Sequence, residues 1–429
     1  MTNLKKKIKV LWFAPCPGNG TKFIWPNAKP GSGTWISTLD LAIQKKVDLN
    51  IAFYHDGDVY FEVGETRYWG IASYSGFFDL IVKKIAERFF NFTVNDQHLD
   101  RYLSIIDKVK PDIIHIHGTE NSFGAIIRRT NIPVVVSIQG LICAILNSYN
   151  APGLGEEFSK VRNFSFSSLK NAIFPTHFYN AKLKFNNMMK IEKNNLKQTK
   201  FVIGYTYWDR RMVALLAPQS RYFLSGQIMR SNFYKTRWLP KKISSRKIAI
   251  YTAAGNVYYK GLETITAAII HLKEYGYQCL WRIAGVASDD LIVRVLKKKF
   301  GHSFPNESIK WMGKLSAPQL IKSMLDSDCY VNASNIENSP NALCEAMLIG
   351  MPCIATNVGG IGQFIRDQKN GLLIQSGDSY ALASCIVELK SNSQLAVNYG
   401  KTARQEALIR HNPKTIVKNL LSIYFKVIK

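Results

Sequence analysis

Acidic residues are scarce in this sequence: 30 Asp and Glu stand against 56 Lys and Arg, a formal net charge of +26. An excess of that size implies an anionic partner, whether a phosphorylated ligand, an acidic lipid surface or a nucleic acid, and is silent on fold. Cysteine is sparse too. The seven are scattered, odd in number and never spaced C-x-x-C, which argues against a disulfide framework or a structural zinc site and suits a reducing cytosol. No uninterrupted apolar run reaches the roughly 18 residues of a spanning helix. The opening MTNLKKKIKVLWFAPCPGNG puts lysines before apolar residues, but prolines and glycines cut the run short and no small-residue cleavage site follows. It reads as a buried first strand with a solubilising lead. No D-x-D cluster stands out as a metal site, and no zinc-finger or RRM-like signature accompanies the basic charge.

What is present is core. Of 429 residues 47% are apolar, enough for two or three domains. In the first half KVLWFAP, LNIAFYH, PDIIHIHG, IPVVVSIQG and FVIGY read as strands, with TWISTLDLAIQKK, LDRYLSIIDKVK and ENSFGAIIRRT as helices between them. The second half repeats the rhythm: RKIAIYTAAG, CLWRIAG, IKWMGKL, DCYVNAS, PCIATNV and GLLIQ alternate with amphipathic stretches. Near-continuous apolar strands separated by helices predict α/β domains with parallel sheets covered on both faces. The expected division is an N-terminal doubly wound domain over 1–230, a polar, basic linker over 231–247, and a second doubly wound domain over 248–405. A last helix over 406–429 has an apolar face with nothing after it to cover, so it is expected to pack back on the first domain. From Phe158 to Lys200, nine Lys/Arg face one Glu with aromatics and Met interleaved. That stretch suits a solvated helical face, an interfacial membrane patch or a single-strand nucleic-acid surface.

The densest chemistry lies in NIENSPNALCEAMLIGMPCIATNVGG, Asn335 to Gly360, where Glu337 and Glu345 are separated by seven residues. Parallel sheets bind ligands at the carboxyl ends of their strands, and DCYVNAS delivers the chain there. Ser339 suits an N-cap and Pro340 the first helical position, with Gly350 ending the helix. Glu337 is then in the loop, Glu345 is more than a turn into the helix, and the amides of Asn341, Ala342 and Leu343 are free to hold a phosphate. A carboxylate, an anion site and a second carboxylate suit a nucleotide sugar. Taken alone, the same residues also describe an ordinary capped helix with two surface glutamates. Lys260-Gly261, Gly313 and Gly359-Gly360 fall at other strand ends of the same half, where a lysine can reach a diphosphate and backbone can approach a ligand.

These residues resemble the E-x7-E signature of family 4 retaining glycosyltransferases, and YYKGLETI, RIAG, WMGKLS and PDIIHIHG follow in that family's order. The resemblance covers nearly the whole chain and is most specific in the last third. It implies the GT-B fold class, two Rossmann-like domains facing a cleft, with the acceptor on the first and a UDP- or GDP-sugar on the second. By position it implies that Glu345 binds the ribose hydroxyls, Glu337 faces the sugar and Lys260 the diphosphate. Asn341, Ala342 and Leu343 would hold phosphate by their amides, with Gly313 at the same edge. His117 would sit beside the transferring sugar, and Gly31 and Gly33 of KPGSGTW near the diphosphate.

The chain departs from the family pattern in two places. Asn256 stands where an arginine usually precedes the lysine, and Gln139 where a histidine is common. The implied activity is retaining, metal-independent sugar transfer from a nucleoside-diphosphate sugar, which is a substrate rather than a cofactor. The acceptor would be a hydroxyl of a glycan or lipid-linked acceptor in envelope or exopolysaccharide synthesis. The expected location is cytoplasmic, peripheral at the inner membrane face through Phe158–Lys200, with no nucleic acid bound. Rival readings are a two-carboxylate glycoside hydrolase, a nucleic-acid-binding protein and, more distantly, a sugar-nucleotide epimerase.

Overall fold

The structure is a computed structural model, and it describes residues 7–26, 34–72, 98–148, 177–240 and 247–429. The chain forms two compact units. The first comprises Met1–Ile142, Asn186–Ile228 and His411–Lys429, the second Cys143–Phe185 and Met229–Arg410.

The first unit holds an eight-stranded sheet. Its strands are β1 (Lys9–Ala14), β2 (Asp48–His55), β3 (Val59–Val63), β4 (Thr66–Ala72), β5 (Ile113–His117), β6 (Val134–Ser137), β7 (Phe201–Gly204) and β8 (Arg221–Leu224), in the spatial order β3-β4-β2-β1-β5-β6-β7-β8. All pairings are parallel except β3 with β4. Burial on both faces explains the run of apolar residues in β1 and β5. Val10, Trp12 and Ile113 pack on one side, Leu11, Phe13, Ile114 and Ile116 on the other.

The second unit holds six parallel strands, β9 (Lys247–Ala253), β10 (Gln278–Ala284), β11 (Ile309–Trp311), β12 (Cys329–Asn332), β13 (Cys353–Thr356) and β14 (Leu372–Ile374), ordered β11-β10-β9-β12-β13-β14. In the unit's own chain order this is the Rossmann sequence 3-2-1-4-5-6, with its reversal between β9 and β12. A crevice outside the carboxyl ends of those two strands is where such a sheet takes a ligand.

Five features differ from expectation. The antiparallel pair β3–β4 and the half-exposed edge strand β8 were not expected. Both are partly polar, so neither has the apolar run that marks a strand buried on both faces. Ser122–Arg128, expected as an α-helix, is a 3-10 segment. Residues 231–240 are not linker. Phe233 and Trp238 are buried among Met324, Tyr330 and Leu343, and Trp238 donates to the Ser327 carbonyl at 2.9 Å. Those aromatics draw the segment into the second unit; residues 241–246 lie outside the described part. The units also part five residues later than expected near the C-terminus, between Arg410 and His411.

The last helix, Pro413–Ile428, begins at Asn412, whose side chain accepts from the Thr415 amide at 3.1 Å, with Pro413 at the first position. Ile416, Val417, Leu420, Ile423, Tyr424 and Val427 form one buried stripe on the first sheet's core. The Tyr424 hydroxyl accepts from Trp12 Nε1 at 2.9 Å and lies 2.7 Å from His115 Nδ1, so it joins the helix to β1 and β5. Tyr424→Phe would leave both ring nitrogens without this partner. An unmet buried hydrogen-bonding group costs about 1–3 kcal/mol, so the variant should unfold at lower urea than wild type by that margin. An unchanged unfolding midpoint would refute the anchoring role.

Candidate functional site

Lys260 lies between β9 and the Leu262–Glu274 helix, at the end of the 3-10 turn Tyr258–Lys260. Gly261 follows with φ +67°, and a Cβ there would overlap the Ala333 carbonyl oxygen at the end of β12. Glycine is needed for both reasons. This close approach sets Lys260 against the loop after β12. Its Nζ lies 2.5 Å from Glu337 Oε1, which also accepts from Ser334 Oγ at 2.9 Å. The Glu337 loop is braced on two sides. Asn335 N donates to the Tyr259 carbonyl at 2.7 Å, and Gly360 N to the Glu337 carbonyl at 2.9 Å. Gly359, with φ +53°, could carry no Cβ without striking that same carbonyl. The glycines after β13, expected to admit a ligand, thus admit the backbone of Glu337.

Lys260 and Glu337 are largely buried, at 19% and 12% side-chain exposure. Burial works against the ammonium, but the Glu337 carboxylate, with help from Tyr259, outweighs it and holds the Lys260 pKa above its ordinary value. Lys260 is therefore a fixed positive charge at the strand-order reversal.

The helix between the two glutamates runs Asn341–Ile349 and closes at Gly350, with φ +81°. Pro340 is the N-cap, so the helix begins one residue later than the Ser339 cap predicted. The first bond of the helical ladder is Cys344 N to the Pro340 carbonyl at 3.1 Å, which leaves the amides of Asn341, Ala342 and Leu343 ahead of it. Those are the amides expected to face an anion. Asn341 Oδ1 is buried without a partner among the described residues.

Glu345 is buried, and both its oxygens are taken by Arg230 side-on: Nε to Oε1 at 2.6 Å and Nη2 to Oε2 at 2.5 Å. Burial raises the Glu345 pKa, and the Arg230 hydrogen bonds and charge only partly offset this. The Arg230 guanidinium also lies 4.7 Å over the Phe233 ring. Sequence reasoning missed Arg230, because it stood as the last residue of the expected first domain. The aromatics that follow it, Phe233, Tyr234 and Trp238, were the signal that the second unit's core had already begun. Gly313 has φ +59° and ties the end of β11 to the loop after β10, accepting from Gly285 N at 2.6 Å and donating to the Val286 carbonyl at 2.8 Å. Asn256 is exposed just past β9. Lys260, Glu337, the three amides, Glu345 with Arg230, Gly313 and Asn256 thus all belong to the second unit.

His117 belongs to the first unit, at the end of β5. It is 1% exposed, and neither ring nitrogen has a partner among the described residues. His115, Trp12 and Trp35 surround it at ring separations of 3.9, 4.7 and 5.5 Å. Burial, then the neighbouring His115, holds its pKa well below the ordinary range, so it is neutral. His115 bonds Ser137 Oγ as well as Tyr424 and is pushed down by burial to about 3. The loop after β5 is fixed by Glu192, which accepts from Thr119 Oγ1 and from Ile142 N, each at 2.9 Å. Sequence reasoning had set Glu192 in a solvated basic stretch. Of that stretch Lys184, Lys190, Lys193, Lys197 and Lys200 are exposed; residues 158–176 lie outside the described part. So do Gly31 and Gly33. Gln139 Nε2 donates to the Tyr205 hydroxyl at 3.3 Å.

Two D-x-D tripeptides occur that the sequence reading passed over, Asp56-Gly57-Asp58 and Asp326-Ser327-Asp328. Asp58 accepts from the Ala72 amide at 2.9 Å and Asp328 from the Ala249 amide at 2.8 Å. Among the described residues no group of three or more His, Cys, Asp or Glu could hold a metal ion, and no helix is long and apolar enough to cross a membrane.

Residues 236–406 match the family model of glycosyl transferases, group 1. The chain is 33% identical over 103 residues to N-acetyl-alpha-D-glucosaminyl L-malate synthase of Bacillus anthracis, covering 24% of this chain and 27% of that protein. It is 27% identical over 229 residues to the putative colanic acid biosynthesis glycosyltransferase WcaL of Escherichia coli (strain K12), covering 50% of this chain and 54% of that one. The matches thus span between about a quarter and a half of these relatives' length. Among solved structures, sucrose-phosphate synthase from Thermosynechococcus elongatus superposes with TM-score 0.71 at 16% identity, covering 98% of this chain and 99% of that one. Anabaena Alr3699/HepE in complex with UDP gives 0.61 at 15%, covering 97% and 99%. With the two sheets, parallel but for β3–β4, these likenesses show the GT-B fold class.

The two buried histidines carry a pH signature. Unfolded, each protonates near its ordinary value of 6.5; folded, both stay neutral to lower pH. The unfolded state therefore binds more protons below that pH, and stability must fall as pH falls. Each histidine contributes about 1.4 kcal/mol per pH unit, down to its folded pKa. Urea midpoints measured from pH 7.5 to 4.5 should show this fall, and His115→Gln or His117→Gln should each make it shallower. A slope untouched in both variants would count against it.

Proposed function

We propose that this chain is a retaining glycosyltransferase that moves a sugar from a nucleoside-diphosphate sugar to a hydroxyl of a glycan or lipid-linked acceptor in polysaccharide synthesis. The observation that carries the reading is the charged cluster at the strand-order reversal. Lys260 and Glu337 meet where β9 and β12 end, and a helix N-terminus and a second carboxylate follow within one segment. The group 1 glycosyl transferase match over 236–406 spans all of these residues except Arg230.

In this reading the departing group is a nucleoside diphosphate, whose charge grows as the glycosidic bond breaks. Lys260 and the amides of Asn341, Ala342 and Leu343 stabilise that charge and need no metal to do so. Glu345 takes the ribose hydroxyls and Glu337 the sugar. Gly313 gives the donor an open backbone edge, since a side chain there would meet nothing within 4 Å. His117, neutral through burial, is suited to hydrogen-bond a sugar hydroxyl rather than to carry charge. The acceptor hydroxyl attacks from the face the diphosphate leaves, which retains the anomeric configuration.

The test is turnover of a panel of UDP- and GDP-sugars in EDTA, with membrane extract as acceptor source. One donor should be consumed without added metal. Glu345→Ala should raise the Kd for the free nucleoside diphosphate, and Glu337→Ala should mainly lower turnover. Equal loss of diphosphate affinity in both variants would overturn the division of roles, and activity restored only by Mn²⁺ or Mg²⁺ the metal independence.

The same reading includes peripheral docking at an anionic membrane. Lys184, Lys190, Lys193 and Lys197 are exposed on one helix, His177–Gln198, while Glu192, Asn195 and Leu196 on it are buried. Each lysine near an acidic surface contributes about 1 kcal/mol. Co-sedimentation with phosphatidylserine vesicles should fall with salt and drop when these four lysines become glutamate. Indifference of the wild type to such vesicles at low salt would leave a soluble acceptor as the better assignment.

A further inference from the structure

Both carboxylates of the E-x7-E segment are already engaged by cations: Glu337 by Lys260 at 2.5 Å, Glu345 by Arg230 at 2.6 and 2.5 Å. The second pair is the more binding of the two. It is side-on and bidentate, 5% exposed on the glutamate and 19% on the arginine. We infer that Arg230 latches the nucleotide subsite, occupying Glu345 until a diphosphate arrives to take the guanidinium and release the carboxylate for ribose. This rests on the donor assignment above and adds to it a residue and a rule of admission.

The physics runs through what each ligand can offer in exchange. A nucleoside or a free sugar brings hydroxyls only. To reach Glu345 it must part a buried ion pair and leave the guanidinium uncompensated, which costs more than a hydroxyl–carboxylate bond returns. A diphosphate brings its own negative charge, so Lys260 and Arg230 can turn to it while both glutamates become acceptors for hydroxyls. The neutral ligand is therefore penalised by the fraction of time the latch stands open, and the charged one is not. The arrangement also answers the departure at Asn256. The loop after β9 carries a single cation, Lys260, and the second comes from the segment that enters the unit at Met229, held in place by Phe233, 4.7 Å beneath the guanidinium.

Isothermal titration with three pairs, UDP and uridine, GDP and guanosine, ADP and adenosine, tests this on the full chain. Wild type should bind one diphosphate and bind its nucleoside at least about a hundredfold more weakly. Arg230→Gln should weaken the diphosphate by about tenfold to a hundredfold, the range of one charge-assisted contact. It should leave the nucleoside unchanged or tighter. Arg230→Lys keeps the charge without the side-on geometry, and serves if the glutamine variant does not fold. It should tighten the nucleoside while holding the diphosphate within a few-fold. Parallel losses for nucleoside and diphosphate in either variant would make Arg230 a structural support and overturn the latch, as would diphosphate affinity unmoved in Arg230→Gln. Wild type that binds none of the six ligands would overturn the donor reading itself, and the latch with it.

Discussion

The ion pair between Lys260 and Glu337 sets the geometry of everything around it. It joins two residues 77 apart in the chain across the ends of two strands that are neighbours in the sheet. Buried ion pairs are poor sources of stability, since desolvating two charges consumes most of what their attraction returns. A fold that needed only stability could place apolar residues there. Instead the surrounding backbone is arranged around the charges: Gly261 lets one loop press on the end of β12, and Gly359 lets another press on the Glu337 carbonyl. Such constraint is what a site needs if its charges must stay put while no ligand is bound.

The two units handle ionisable groups in opposite ways. In the second, opposite charge outweighs burial, so that Lys260 remains a cation despite being shielded from water. In the first, burial acts on histidines with no carboxylate partner, and both lose their charge. His115 spends its nitrogens on Tyr424 and Ser137 and is a structural residue, whereas His117, two positions on and on the same face of β5, keeps both nitrogens uncommitted among the described residues. The two side chains look equivalent in the sequence IHIH. What separates them is Tyr424, 309 residues away, and no local pattern could have shown it.

The strands covered on both faces were legible because such strands must be apolar throughout, and IIHIH, VVVS and CIAT have few other uses. The E-x7-E segment was legible because its spacing ties two carboxylates to one helix N-terminus. Arg230 was not. A polar, basic sequence such as SNFYKTRWLP looks like a joint between domains when charge is weighed more heavily than its aromatics. In the fold Phe233 and Trp238 are core residues, and they bring the arginine with them. The β3–β4 pair escaped for the converse reason: β3 buries only Phe61 and exposes Tyr60 and Glu62, so it lacks the apolar run of a strand buried on both faces.

The misplaced helix start shows why one error of register left the site intact. Whether Pro340 is the cap or the first helical residue, it has no N–H, so it removes nothing from the set of amides that can face an anion. Asn341, Ala342 and Leu343 stand ahead of the helical ladder in either case, and Cys344 is the first to bond back, to the Pro340 carbonyl. Proline also fixes φ near its helical value, here −74°, so the chain turns into the helix at the same place whichever residue is named the cap. The feature that matters chemically, three successive amides ahead of the first helical bond, is therefore the same with either cap.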